Sequence, residues 1–155
     1  MSDTHAHGIP SPWRPPQRVR PLAIGLIRRG DTLLVMSVHN DAGAVIGYRP
    51  VGGEIAFGER ADTALIREIR EEIGADAEIG RQVATFENLF RHEGQSGHEI
   101  VFVFEARLTS LADMEDTPIW IEEGGGAFLL WMPVSDLLAD GLLLPQSLAP
   151  LLTTD

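Results

Sequence analysis

The chain has 155 residues, 44% of them hydrophobic, and a formal net charge of −11. That length and apolar content fit one domain with its own core, and the acidic balance argues against a nucleic-acid polymer as partner, which asks for a basic face. There is no cysteine and all 12 basic residues are arginine, which excludes disulfides, thiolate chemistry, a lysine Schiff base and a lysine-bearing phosphate loop.

Residues 1–17 are proline-rich, include His5 and His7, and read as a flexible arm ahead of a single domain over 18–155. The arm has no apolar signal-peptide centre, and no apolar run approaches the length of a membrane span, so the expected location is cytoplasmic with no membrane partner. Arg20–Arg28 and Thr32–His39 read as strands joined at Gly30-Asp31, a hairpin signal. Asn40–Gly47 reads as a loop, Tyr48–Pro50 as a short strand, and Pro50-Val51-Gly52-Gly53 as a glycine loop whose main chain can approach a ligand. A helix is expected from about Glu59 to Ile73, with Gly74 as its C-cap.

Beyond the helix, Ala77–Arg91 reads as a long strand, Glu93–Gly97 as a turn, and His98–Leu108 as a central strand rich in β-branched and aromatic residues. Asp113–Gly126 reads as an acidic loop, Ala127–Met132 as a strand, and Pro133–Leu138 as a helix with Ser135 as candidate cap. Asp140–Leu152 is expected to form a leucine-rich final helix. The order of elements gives a mixed α/β (α+β) layered domain.

The helix over 59–73 carries the chemistry. At about 100° per residue, Glu71 and Glu72 fall about 60° and 40° to either side of Glu68, so the three carboxylates share one stripe. Leu65, Ile66, Ile69 and Ile73 fall on a separate stripe expected to meet the core. Ala61 and Ala64 lie on the acidic side and leave room for a loop or a metal. Like charges this close repel by a few tenths of a kcal/mol per pair, and the helix C-terminus disfavours anions. Mg²⁺ or Mn²⁺, held by oxygen ligands, offsets both effects; Arg67 and Arg70 offset them in part. Taken alone, an E-x-x-E-E pattern also fits a solvated surface face.

The wider context is more specific. Gly53, Glu59, Arg67-Glu68-Ile69, Glu71-Glu72, Gly74 and Ala75 stand at the spacings of the Nudix signature, which the stretch Gly53–Ala75 resembles. Two details depart from the usual pattern: Val51 follows Pro50 where a glycine is common, and Ala75 replaces a larger aliphatic residue. The resemblance implies a Nudix-like α/β/α sandwich with a mixed central sheet. It also implies hydrolysis of a nucleoside diphosphate linked to another moiety, by water attack on phosphorus with Mg²⁺ or Mn²⁺. By the same resemblance Glu68, Glu71 and Glu72 are the metal ligands, and Gly53 contributes either its backbone carbonyl or its conformational freedom. Arg67 orients a carboxylate, either Glu59 or Glu71. The general base comes either from the signature helix or from outside it, where Glu122, Glu123 and Glu99 are the candidates. Arg49, Arg20 and Arg91 are candidate phosphate contacts, and Phe86, Phe90, Trp120 and Tyr48 are candidate stacking residues.

The expected partner is a small phosphoanhydride substrate, and homodimers are common in the family. Phe90 and Arg91 stand where ADP-ribose pyrophosphatases carry a proline, and the one tyrosine, Tyr48, is not placed for the dinucleoside-polyphosphate type. A nucleoside triphosphate or a nucleotide-sugar is the preferred substrate class. Two other readings compete: a Nudix-fold nucleotide sensor without turnover, and an acidic interaction domain that takes no ligand. The intact set of glutamates favours the enzyme.

Overall fold

The structure is a computed structural model that describes residues 12–110, 117–122 and 126–153. In chain order it contains β1 (Val19–Arg29), β2 (Thr32–His39), β3 (Val45–Glu54), α1 (Ala61–Ile73), β4 (Ala77–His92), β5 (Gln95–Leu108), β6 (Ile119–Ile121), β7 (Ala127–Pro133), α2 (Val134–Ala139), a 3₁₀ turn (Gln146–Leu148) and α3 (Ala149–Thr153). The strands form one seven-stranded sheet in the order β4-β5-β1-β3-β2-β7-β6. β1 runs parallel to β5 from Val19↔His98 to Ile27↔Ala106, and the other strand pairs are antiparallel. The expected mixed sheet is therefore present.

Period-two alternation sends the strand side chains to two cores. Ala23, Ile27, Leu34, Met36, Val51 and Phe104 pack with Ala64, Leu65 and Ile69 of α1. Ile24, Leu26, Leu33, Val35, Val101 and Val103 pack on the other face with Leu137 of α2 and Leu148. A helix layer thus lies on each side of the sheet, an α/β/α sandwich. Each fully buried Leu or Ile is worth about 1.5–3 kcal/mol of transfer free energy, so both faces hold the sheet in place.

Several boundaries differ from the sequence reading. The expected glycine loop Pro50–Gly53 is strand: Val51–Glu54 pairs with β1 and Val45–Pro50 with β2. Gly52 explains this, because a Cβ there would collide with the Ala23 carbonyl and lie 2.7 Å from the Ile24 Cα. Only a bare backbone brings β3 that close to β1. The turn expected over Glu93–Gly97 shrinks to two residues, since His92 pairs with Gln95. Glu93 (φ 50°) and Gly94 (φ 81°) both take the left-handed angles that such a hairpin turn requires. β6 emerges from the expected acidic loop by pairing with β7. The expected final helix fails because residues 142–144 dock on β3 instead. Tyr48 N–H donates to Leu142 O at 2.8 Å, and Leu144 N–H donates to Tyr48 O at 2.8 Å. Pro145 then precedes the 3₁₀ turn, leaving a helix of five residues. Ser135 does not cap α2, whose N-cap position is Pro133. Among the described residues no helix is long and apolar enough to cross a membrane.

Candidate active site

Helix α1 follows β3 after a short loop and ends cleanly. Gly74 takes the left-handed conformation (φ 68°, ψ 22°), and its N–H donates to Arg70 O. At its start the Arg60 side chain makes no cap bond. The preceding loop is held instead by Glu59, whose carboxylate accepts the Ala56 N–H at 3.0 Å.

Arg67 organises the acidic side of the helix. Its Nε and one terminal nitrogen grip Glu59 in a two-pronged pair at 2.7 and 2.8 Å. The other terminal nitrogen donates to Glu68 at 3.0 Å and Glu71 at 3.1 Å. A fifth bond, 3.0 Å to the Glu54 carbonyl, ties the helix to the end of β3. A planar guanidinium fork is the one side chain that meets these demands together. The Arg67 guanidinium, helped by the Ala56 N–H, drives the Glu59 carboxyl down to about 2. Arg67 itself is held above its ordinary value, chiefly by Glu59. Of the two carboxylates considered as its partner, Arg67 binds both, Glu59 the more tightly.

Glu68 and Glu72 turn inward rather than out to solvent. Their side chains are 16% and 12% exposed, against 59% for Glu71. The apolar and acidic stripes therefore are not separate: Ala64, Leu65 and Ile69 are buried, while Ile66 lines a shallow outer cavity of about 290 Å³ with Thr63 and Arg70. The inward turn is made possible by Gly53, where a Cβ would overlap the Glu68 carboxyl group and sit 2.8 Å from its Cγ. Gly52 bears on Glu72 as well, its backbone tending to lower that carboxyl. Arg49 stands 3.8 Å from the Glu72 carboxylate.

This donor set fits a hard divalent cation. Glu72 Oε1 is buried and finds no hydrogen-bond partner among the described residues, an arrangement that is costly for a charged oxygen. Burial, with Glu68 and Glu71 adding to it, lifts the Glu72 carboxyl to about 7 against the opposing pull of Arg49 and Gly52. A cation beside Glu68 and Glu72 would satisfy the orphaned oxygen and restore the charge. Among the described residues no three acidic or imidazole side chains enclose an ion, because Glu71 is turned onto Arg67. One or two carboxylates without a closed cage suit a hard divalent cation that would share its remaining positions with waters and phosphates.

The structure brings together Gly53, Glu68, Glu71, Glu72, Arg67 and Arg49. It places the other candidates elsewhere. Glu99, 11% exposed, lies by alternation on the opposite face with Val101 and Val103, bound by Arg20 at 3.3 Å and Asn88 at 3.0 Å. Arg20 also pairs with Glu54. Arg91 closes the β4–β5 turn through Ser96 Oγ and the Gly94 carbonyl. Glu122 is exposed just after β6, and Glu123 lies outside the described residues. Tyr48 and Phe86 pack into the core beneath α2. Trp120 stacks edge-on with Phe128, and Phe90 lies parallel to Trp13. The sequence reading passed over Glu54 and the direct role of Gly52; both stand next to Gly53, the one available signal. It also passed over Trp13.

Comparison with known proteins concerns the family and the fold. The NUDIX domain profile matches residues 17–151. Among solved structures, a NUDIX hydrolase from Nitrosomonas europaea superposes with a TM-score of 0.63 at 16% identity, covering 82% of this chain and 81% of that one. A MutT NUDIX hydrolase from Burkholderia pseudomallei gives 0.56 at 18% identity, covering 89% and 100%. A structure described as UDP-X diphosphatase gives 0.59 at 19% identity, covering 87% and 61%. These identities speak for the fold alone. No functionally curated protein matches the chain.

Proposed function

The chain belongs to the Nudix hydrolase family, and from that premise we propose that it is a pyrophosphohydrolase whose reaction is carried by Glu68, Glu71 and Glu72 with Mg²⁺ or Mn²⁺. The observation that carries the assignment is the buried, unpartnered Glu72 oxygen beside Glu68, behind the bare Gly52-Gly53 backbone. When bound, the cation neutralises phosphate oxygens and makes an attacking water more acidic. The chain's own residues do the positioning. Glu68 and Glu72 hold the cation side of the site, and Arg67 fixes Glu68 and Glu71 against the end of β3. Arg49 is the phosphate contact, because of the three arginines considered it alone adjoins the carboxylates. Glu122 and Glu123 are retained as proton acceptors; Glu99 is engaged by Arg20 and Asn88.

The substrate class we favour is a nucleoside diphosphate linked to another group, either a nucleoside triphosphate or a nucleotide-sugar. A small acidic protein without lysine handles such anions through metal and arginine. Hydrolysis in ¹⁸O-labelled water tests this directly: label appearing in a phosphate group of the products, with metal required, is expected. Label in a hydroxyl of the organic product with unlabelled phosphates, the mark of cleavage at a carbon–oxygen bond, contradicts attack at phosphorus.

A further inference from the structure

We propose that the outer edge of β4 is a self-complementary surface through which two copies of this chain pair, strand against strand, centred on Leu89. β4 stands at one end of the sheet order, and among the described residues β5 is its only strand partner. Its irregularities are confined to Ile79–Ala84, so the strand is regular from there to His92.

The direction of the free backbone groups follows from the hairpin. His92 pairs with Gln95 across a two-residue turn, so His92, Phe90, Asn88 and Phe86 point their N–H and C=O groups at β5. Arg91, Leu89, Glu87 and Thr85 point theirs outward, where another strand can take them. The same four residues are exposed, and Leu89, at 69%, is a large apolar side chain left in solvent.

An antiparallel pairing of this edge with its own copy is allowed when outward residues face outward residues. Centred on Leu89, it sets Leu89 against the second Leu89, Glu87 against Arg91, and Arg91 against Glu87. Two opposite-charge pairs then flank one apolar contact, the arrangement that favours cross-strand neighbours. Moving the centre to Asn88 sets Glu87 against Leu89 and Arg91 against Thr85, which loses both ion pairs. Charge complementarity thus selects the partner, a second copy, as well as the register. Edge charges also act as a guard against indiscriminate strand addition. Here Glu87 rests on His98 and Arg91 on the adjacent turn, both on the surface, within reach of the exchange.

Two edge strands bury less than a standard interface of about 1,600 Å², so association is expected to depend on concentration. Sedimentation velocity from about 1 µM to about 1 mM reads it without reference to activity, so the outcome is independent of the proposed reaction. The wild-type chain should shift towards a dimer over this range. Leu89→Lys and Arg91→Glu should each remain monomeric with unchanged circular dichroism. The double reversal Glu87→Arg with Arg91→Glu should restore the dimer. A wild-type monomer at every concentration overturns the proposal, as it would if another segment of this chain covered the edge. Dimers that persist in Leu89→Lys, or a double reversal that stays monomeric, overturn it as well.

Discussion

Replacing Glu72 by glutamine should make the metal-free protein more stable at alkaline pH. The Glu72 carboxyl has an ordinary value of 4.5 and is raised to about 7, chiefly by burial. Between those two pH values the folded protein holds a proton that the unfolded chain has lost. Stability from this group is therefore complete below pH 4.5 and falls as pH rises through 7. At about 1.4 kcal/mol per pH unit, the cost at pH 8 is about 3 kcal/mol. Glutamine has nearly the same shape and carries no charge, so it mimics the protonated acid. In a chain of this size about 3 kcal/mol corresponds to a rise of about 6–12 °C in Tm. Urea unfolding in EDTA at pH 5 and pH 8, for wild type and Glu72→Gln, reads the effect. The variant should gain at pH 8 and not at pH 5. Glu59, Glu54 and Asp41 are all lowered rather than raised, so they titrate below this window. Equal stability of the two proteins at pH 8 would refute the reasoning, because Glu72 would then not be a buried charge.

Other consequences follow from the same contacts. Arg67→Lys should lower both kcat and Tm, since an ammonium cannot replace five directed bonds; a loss of about 1.5–3 kcal/mol is expected in urea unfolding. Gly53→Ala should displace the Glu68 carboxyl and reduce kcat at least about tenfold with a small change in Tm, because the neighbour that must move is a side chain. Gly52→Ala should fold poorly, its Cβ meeting the β1 backbone, as thermal denaturation would show. Glu59, lowered to about 2 by Arg67, contributes stability that is present above pH 4.5 and is lost as pH falls towards 2. Glu59→Gln should therefore flatten the acid limb of the stability–pH curve.

The candidate site is legible in sequence because its residues are close in the chain. Helical spacing alone gathers Glu68, Glu71 and Glu72, and Gly74 marks the stop. Helical spacing did not show that Glu68 and Glu72 point inward. That depends on Gly52 and Gly53 offering a side-chain-free surface one strand away. The same two glycines look like a loop in sequence, yet they are strand, because Gly52 must be bare for β1 to come close and Gly53 for Glu68. Long-range contacts were the least legible. Trp13 belongs to a proline-rich stretch that reads as a flexible arm, yet its ring lies parallel to Phe90, 6.5 Å away, and Arg14 pairs with Asp41. The leucines after Asp140 suggest a helix by composition, but docking of residues 142–144 on Tyr48 prevails. Glu99 looks like an available acid on a strand; only the fold reveals Arg20 and Asn88 beside it.

The most direct test of the account is hydrolysis of a panel of nucleoside triphosphates, nucleotide-sugars, dinucleotides and capped polyphosphates, read by separating the two phosphate-bearing products, with Mg²⁺, with Mn²⁺ and with EDTA, beside Glu72→Gln. The account predicts turnover of at least one nucleoside diphosphate derivative that requires metal and collapses in the variant. Turnover that survives EDTA or Glu72→Gln, or nucleotide binding with no turnover across the panel, would contradict it.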